Sequence, residues 1–328
     1  MRHEPLQIGA HLRLLPENPV LSFVIPALNE EAAIEAAILA VDGAAAALVS
    51  RYEIIVVDDG STDGTYRRAA ALCATVPLRV IRLSRNFGKE QALMAGLQAA
   101  RGEAVVTLDA DLQEPMAALE TMFAHWRGGA AMAYAVRAHR RDEPLSKRVL
   151  TRGFYKVLNV GCDVAIPEDA RDFRLMDRRV VDAICAMPER NRFMKGLYGW
   201  VGFDSVAVPV ELKERETGRS KFGFANLARL AITGVTSFTA WPLRVWTAIG
   251  STIALVSLSY GIWIALRTLV FGVDVPGWST LVVGTLFLGG VQLISIGVLG
   301  EYVARIYTEV KGRPGYIVAA ETSANQEG

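Results

Sequence analysis

The chain has 328 residues, enough for one large domain with additions or for two small domains. Apolar residues make up 52% and charged residues 21%, and the mean hydropathy of +0.27 is high for a chain that lives wholly in water. With 35 Lys and Arg against 34 Asp and Glu, the net charge of +1 gives no field that would favour nucleic acid, and Cys73, Cys162 and Cys185, far apart and without C-x-x-C spacing, argue against a disulfide framework.

Residues 1–19 read as an N-terminal extension. Arg13, Pro16 and Glu17 interrupt any apolar run, so no cleaved signal peptide is expected. From Val20 to about Val136 the pattern alternates strand and helix. Strands are predicted at Leu21–Ile25, Tyr52–Val57, Leu78–Leu83, Glu103–Leu108 and Ala131–Val136. Helices are predicted at Glu30–Leu48, Thr62–Cys73 and Lys89–Ala100. Continuous apolar strands alternating with helices imply a Rossmann-like α/β domain with a mainly parallel sheet covered on both faces. Ligands of such sheets bind beyond the carboxyl ends of the strands. Residues Asp172–Met187 read as a further element with its own helix, and the domain is expected to end near residue 222.

Composition then changes. Residues 223–240 carry apolar side chains at helical spacing with few charges, the pattern of an amphipathic helix lying in a membrane interface. Between Arg244 and Arg267 lie about 22 uncharged residues, and between Asp274 and Glu301 about 26, each enough to cross a bilayer. Trp241, Trp246, Trp263, Trp278 and Tyr302 stand near the ends, where interfacial aromatics belong. Residues 241–318 are therefore expected to form a transmembrane hairpin, spanning at about 244–267 and 275–300, with 319–328 as a flexible tail. Lys and Arg cluster outside the two spans, which places the large domain and both termini in the cytoplasm.

The residues with chemical potential fall at the strand ends. Asp109 and Asp111, with Ala110 between them, follow the fourth strand. Residues two apart on an extended segment point the same way, so both carboxylates can meet one cation. Hard divalent ions take carboxylate oxygens and keep substrate phosphates as further ligands. A solvated acidic turn is the plain alternative. Asp58 and Asp59, followed by Gly60 and Ser61, close the second strand, where a carboxylate can accept from a base or ribose. Pro26, Leu28, Asn29 and Glu30 close the first, where helix capping alone would account for the Asn and Glu. Lys89 opens a helix and opposes its dipole, which a bound diphosphate would offset; a solvated lysine is the alternative. Arg137, Arg140, Arg141, Lys147, Arg148 and Arg152 form a basic run suited either to a phosphate or to an anionic membrane surface. Arg215, Arg219 and Lys221 form a second basic loop just before the apolar part of the chain. The four histidines have no metal-ligand spacing, and there is no G-x-S-x-G, P-loop or G-x-G-x-x-G motif.

Taken in order, Val24-Ile25-Pro26, Asn29-Glu30, Asp58-Asp59-Gly60-Ser61, Arg85-Asn86-Phe87-Gly88-Lys89 and Asp109-Ala110-Asp111-Leu112-Gln113-Glu114-Pro115 resemble family 2 glycosyltransferases of the GT-A fold. Asp172-Phe173-Arg174-Leu175, Arg192-Phe193-Met194-Lys195-Gly196, Gly218-Arg219-Ser220-Lys221, the two spans and Arg313-Pro314 before Tyr316 narrow the resemblance to the polyprenyl-phosphate glycosyltransferases. These include the bactoprenol glucosyltransferase and dolichol-phosphate mannose synthase group. The resemblance implies an inverting, metal-dependent transfer of a hexose from a nucleotide sugar (UDP-glucose first, with GDP-mannose, a UDP-N-acetylhexosamine or a UDP-aminoarabinose derivative as alternatives) to undecaprenyl phosphate. It places the enzyme on the cytoplasmic face of the inner membrane and implies a homo-oligomer, a tetramer. By the same resemblance, Pro26, Leu28, Asn29, Glu30, Asp58, Asp59, Lys89, Asp109 and Ala110 bind the nucleotide sugar. Asp109 and Asp111 hold Mg2+ or Mn2+, with Gln113 beside them, and Asp111, Asp172 and Gln113 serve catalysis. Arg137, Arg148, Arg215 and Lys221 would take the acceptor phosphate. A processive polysaccharide synthase would add a Gln-x-x-Arg-Trp segment, which Arg192-Phe193-Met194 and Gly199-Trp200 do not supply. A non-catalytic membrane adaptor of the same fold is the alternative from another class.

Overall fold

The computed structural model describes residues 15–111, 113, 115–138, 170–190, 192–211, 241–271 and 277–324. The chain divides into two compact units, one built from residues 1–155, 164–222 and 314–328, the other from 156–163 and 223–313.

The first unit is an α/β domain on an eight-stranded sheet. Its centre is parallel: Leu21–Ala27 (β1), Tyr52–Asp58 (β2), Leu78–Leu83 (β3) and Ala104–Thr107 (β4) lie side by side in the order β4-β1-β2-β3. Nearly every residue of these strands is buried, which explains why they read as apolar runs rather than as alternating ones. Ile34–Leu48 (α1), Thr65–Ala71 (α2) and Lys89–Ala99 (α3) make the crossovers, and Ala118–Arg127 (α4) follows β4. On one face Leu21, Phe23 and Ile25 of β1 pack with Ile34, Ile38 and Val41 of α1 in the main core. On the other, α3 crosses β1 with Gly96 seated directly on Val24, where any Cβ would collide with the valine side chain.

Away from this centre the sheet departs from the parallel pattern. Met132–Arg137 (β5), Ala170–Asp177 (β6) and Ser205–Val210 (β7) extend one edge, and Val318–Ser323 (β8) closes the other. The full order is β7-β5-β6-β4-β1-β2-β3-β8. Strand β6 inserts antiparallel between β4 and β5, and β8 runs antiparallel to β3. The sheet is therefore mixed, where a mainly parallel one was expected. Part of the expected tail 319–328 is an edge strand. Arg79 of β3 holds Glu321 of β8 at 2.8 Å, and Tyr66 shares a 2.8 Å hydrogen bond with Thr322. Such a strand covers backbone groups that β3 would otherwise leave open. Helices Arg178–Ala186 (α5) and Met194–Trp200 (α6) complete the domain, and Asp177 caps α5 by accepting from the Arg179 N–H at 3.1 Å.

The second unit holds Trp241–Phe271 (α7) and Trp278–Val310 (α8), which touch one another. Within α8, Phe287–Val310 is long and apolar enough to cross a membrane by length and composition. Within α7 the corresponding stretch among the described residues, Ser259–Phe271, is shorter. Leu255, Trp263 and Leu269 of α7 and Leu293, Ile296 and Leu299 of α8 all lie exposed. The interfacial helix expected at 223–240 and most of the N-terminal extension lie outside the described residues.

Candidate active site

Because β1, β2 and β4 are parallel and in register, their carboxyl ends share one rim: Ala27 pairs with Asp58, and Val24 with Thr107. The loops that follow them converge there. The reversed direction of β6 brings its first residues to the same rim. Arg174 pairs with Thr107, and the Thr107 hydroxyl donates to the Asp172 carbonyl at 2.6 Å.

Asn29 does not cap a helix, since α1 begins only at Ile34. It adopts φ 55° and joins two loops. Its N–H donates to Ser61 Oγ at 2.9 Å, and its Oδ1 accepts from the Thr62 N–H at 3.0 Å. The Glu30 N–H donates to Thr65 Oγ1 at 2.9 Å. Glu31 accepts from the Gly64 N–H at 3.1 Å and meets Arg68; the amide bond first and the guanidinium second hold its carboxyl below the usual range. Neither Ser61 nor Thr62 caps α2; Asp63 accepts from the Thr65 N–H instead, at 3.0 Å, and α2 starts at Thr65. Pro26 is buried within β1, whereas Leu28 stands exposed on the rim.

The two acids after β2 have different tasks. Asp59 accepts from the Phe87 N–H at 2.7 Å and from the Gly88 N–H at 2.9 Å, one bond to each oxygen. It shapes the loop 84–88 with its whole acceptor face. Burial raises its pKa, and the two amide bonds only partly offset that. Asp58 accepts from the Ser61 N–H at 3.2 Å, and its other oxygen lies 3.4 Å from Arg82 Nε with no hydrogen bond to any described group. Gly60, at φ 70°, passes so close to the backbone of Arg85 and Asn86 that a Cβ would collide with it. These contacts stack the second and third rim loops.

The centre of the rim is an ammonium between two acids. Lys89 Nζ lies 2.6 and 2.9 Å from the two oxygens of Asp109 and 2.5 Å from Asp172 Oδ2. Partial burial raises Asp109, with Lys89 opposing the rise and Asp172 adding to it. Burial would also raise Asp172, but Lys89, Lys195 and Arg174 outweigh it and keep this carboxylate ionised below its usual range. The lysine keeps its charge: burial works against it, and the two acids more than compensate. Next to it, Glu90 accepts from the Met194 N–H at 3.0 Å, and burial together with Asp172 pushes it up to about 7.

Strand β4 ends at Thr107, and Ala110 and Asp111 lie in a turn. Asp109 and Asp111 are thus not aligned by strand geometry as the two-residue spacing implied. Asp111 Oδ1 accepts from the Gln113 N–H at 3.3 Å, and Ala110 anchors the turn by packing into the core. Among the described residues no group of three or more Asp, Glu, His or Cys side chains converges as a finished metal cage. The donor set still fits one kind of ion. Mg2+ or Mn2+ binding through one or two carboxylates, with phosphate and water filling the rest, needs no such cage.

Arg137 ends β5, opposite Val210 of β7. Arg148, Arg215 and Lys221 lie outside the described residues. The motifs that contain Arg174 and Arg192 gave neither residue a role of its own. Arg174 is 2% exposed and lies between the rings of Tyr134 and Tyr198, 5.0 and 4.2 Å from their centroids. Its alternation with Asp172 along one strand was the available signal. Arg192 donates to the Met187 carbonyl at 2.7 Å, which closes α5 and sets Met194 against Glu90. Cys73 is buried, which pushes its thiol up to about 11, and so is inert.

Residues 22–185 match the family model described as glycosyl transferase family 2, and residues 241–306 match the GtrB C-terminal hairpin. The SfII prophage-derived bactoprenol glucosyl transferase of Shigella flexneri is 45% identical over 306 residues, which are 93% of this chain and 99% of that one. An uncharacterised glycosyltransferase of Synechocystis is 45% identical over 300 residues, 91% of this chain and 94% of its own. A prophage bactoprenol glucosyl transferase homolog of Escherichia coli K12 is 44% identical over 299 residues, 91% and 98%.

Proposed function

Since the chain belongs to glycosyl transferase family 2 and is a glycosyltransferase of the GT-A fold, we propose that it transfers a hexose, glucose from UDP-glucose, to undecaprenyl phosphate at the cytoplasmic membrane face, with inversion and with a divalent cation. The observation that carries this reading is the rim where Asp109, Asp172 and Lys89 meet beside the Asp58–Asp59 and Asn29 loops. The relatives named bactoprenol glucosyl transferase, similar over nearly their whole length, support the acceptor and the sugar.

Connectivity supports the membrane topology. The chain leaves the sheet after β7 and returns to it as β8, paired with β3. Both points are on one side of any membrane, so the residues between them cross an even number of times. Phe287–Val310 supplies one crossing, and the 31-residue α7 is long enough for the other. The match of residues 241–306 to a hairpin model agrees.

Asp109, Asp111 and Gln113 would hold the cation, which when bound neutralises charge on the departing diphosphate. The nucleophile is a phosphate oxygen, already ionised at neutral pH, so the site needs no strong general base. Asp172 acts on Lys89 rather than on a substrate proton. Loop 84–88, fixed by Asp59, sets Lys89 at the start of α3, where the first turn of a helix favours an anion. Catalysis then rests on positioning and charge. The test is a panel of nucleotide sugars with membranes and undecaprenyl phosphate, the lipid product weighed by mass spectrometry. Glucosyl lipid from UDP-glucose, lost in Asp111→Asn, is expected. Transfer that survives that substitution with Mg2+ or Mn2+ absent counts against the cation role.

A further inference from the structure

We propose that Lys89 is the resting occupant of the cation seat, and that the donor's diphosphate must draw its ammonium away before Asp109 can accept a divalent ion. The inference rests on the cation reading of the rim given above. Nζ touches both oxygens of Asp109 and one of Asp172, so the first acid of the pair has its charged face already engaged. A small divalent ion binds oxygen at about 2.0–2.1 Å. It cannot enter that space while an ammonium stands 2.6 Å from the same carboxylate. Two cations there would also repel.

The lysine is placed to move. It is the first residue of α3, its side chain is 42% exposed, and it follows Gly88, whose φ of 100° and open surroundings leave the junction uncrowded. At a helix N-terminus a positive charge is unfavourable and a diphosphate is favourable. In the resting enzyme the two acids hold the ammonium against the dipole. An arriving diphosphate offers it a denser negative partner at the same helix end, and the carboxylate of Asp109 is left for the ion. No bond is made or broken in this step; one ammonium is exchanged for one divalent ion. Donor and cation then tighten one another, by the same factor in each direction. The absence of a finished cage of three acids among the described residues agrees with a seat completed by the donor.

The experiment measures Mn2+ affinity by electron paramagnetic resonance on the full chain in detergent, with and without UDP. Wild type is expected to bind Mn2+ weakly alone and tightly with UDP. Lys89→Met is expected to bind Mn2+ alone about tenfold tighter than wild type, within the usual range of coupling between sites, and to lose most of the UDP effect. Lys89→Gln should match it, which guards against a folding defect in one variant, and Lys89→Arg should restore weak donor-free binding. Unchanged or weaker donor-free affinity in both Lys89→Met and Lys89→Gln overturns the exchange. The cation reading survives that outcome if Asp109→Asn abolishes Mn2+ binding in the presence of UDP. No Mn2+ binding in any protein, with or without UDP, removes that reading and the exchange with it.

Discussion

Replacing Asp59 by Asn separates two roles that the sequence left together. If Asp59 touched the donor directly, the loop beyond it would be indifferent to the change. In the structure both of its oxygens are used by backbone, from Phe87 at 2.7 Å and Gly88 at 2.9 Å, and the residue is 2% exposed, so solvent screens these bonds little. A hydrogen bond to a charged group contributes about 1.5–3 kcal/mol net. Asparagine keeps one accepting oxygen and turns an N–H toward the second amide, so one bond is lost and a donor is left facing a donor. The loop near the surface can relax, so the lower part of that range applies: about 2 kcal/mol, or roughly 30-fold in the closed-to-open ratio of the loop. UDP affinity of the full chain should fall, with that factor as the upper bound, in titration calorimetry, because affinity follows the closed fraction. Hydrogen exchange at the Phe87 and Gly88 amides should quicken in step, while the global melting temperature moves little. Weakened UDP binding with unchanged exchange at those two amides would refute the reasoning and make Asp59 a direct donor contact.

Gly96→Ala should destabilise the domain by about 1–2 kcal/mol, because overpacking against Val24 outweighs the gain in helix propensity; Val24→Ala in the same chain should recover part of it in a denaturant melt. Deleting residues 318–328 should lower the melting temperature by several degrees and promote aggregation through the uncovered edge of β3, whereas Glu321→Gln alone should cost less than about 1 kcal/mol, since the pair with Arg79 is partly exposed. Glu90, raised by burial to about 7, binds a proton in the folded state at pH values where the unfolded chain has released it. Stability should therefore fall as pH rises from about 4.5 to about 7, with a slope below the roughly 1.4 kcal/mol per pH unit of one fully shifted proton. Glu90→Gln should remove that part of the slope in melts across pH 5–8, and an unchanged slope would show that Glu90 titrates normally.

The parallel half of the sheet is written in local pattern alone. The strands through Leu21, Tyr52, Leu78 and Ala104 are apolar on both faces, and burial on both sides leaves that mark whatever surrounds it. It also placed the acids at strand ends, because parallel strands joined by crossover helices put every carboxyl end on one rim. Helix starts were less legible. Asn29, Ser61 and Thr62 all suit caps locally, yet they bond to one another across 32 or 33 residues, and α1 and α2 begin later. Strand direction, by contrast, is set by long-range packing. Nothing local in Asp172-Phe173-Arg174-Leu175 says that it runs against β4, and that reversal alone carries Asp172 to Lys89. The same holds for β8, polar enough to read as a tail, which becomes a strand because β3 offers an open edge more than 230 residues earlier in the chain. Pairing partners at such separations are chosen by the packed fold as a whole, and short-range pattern does not contain that choice.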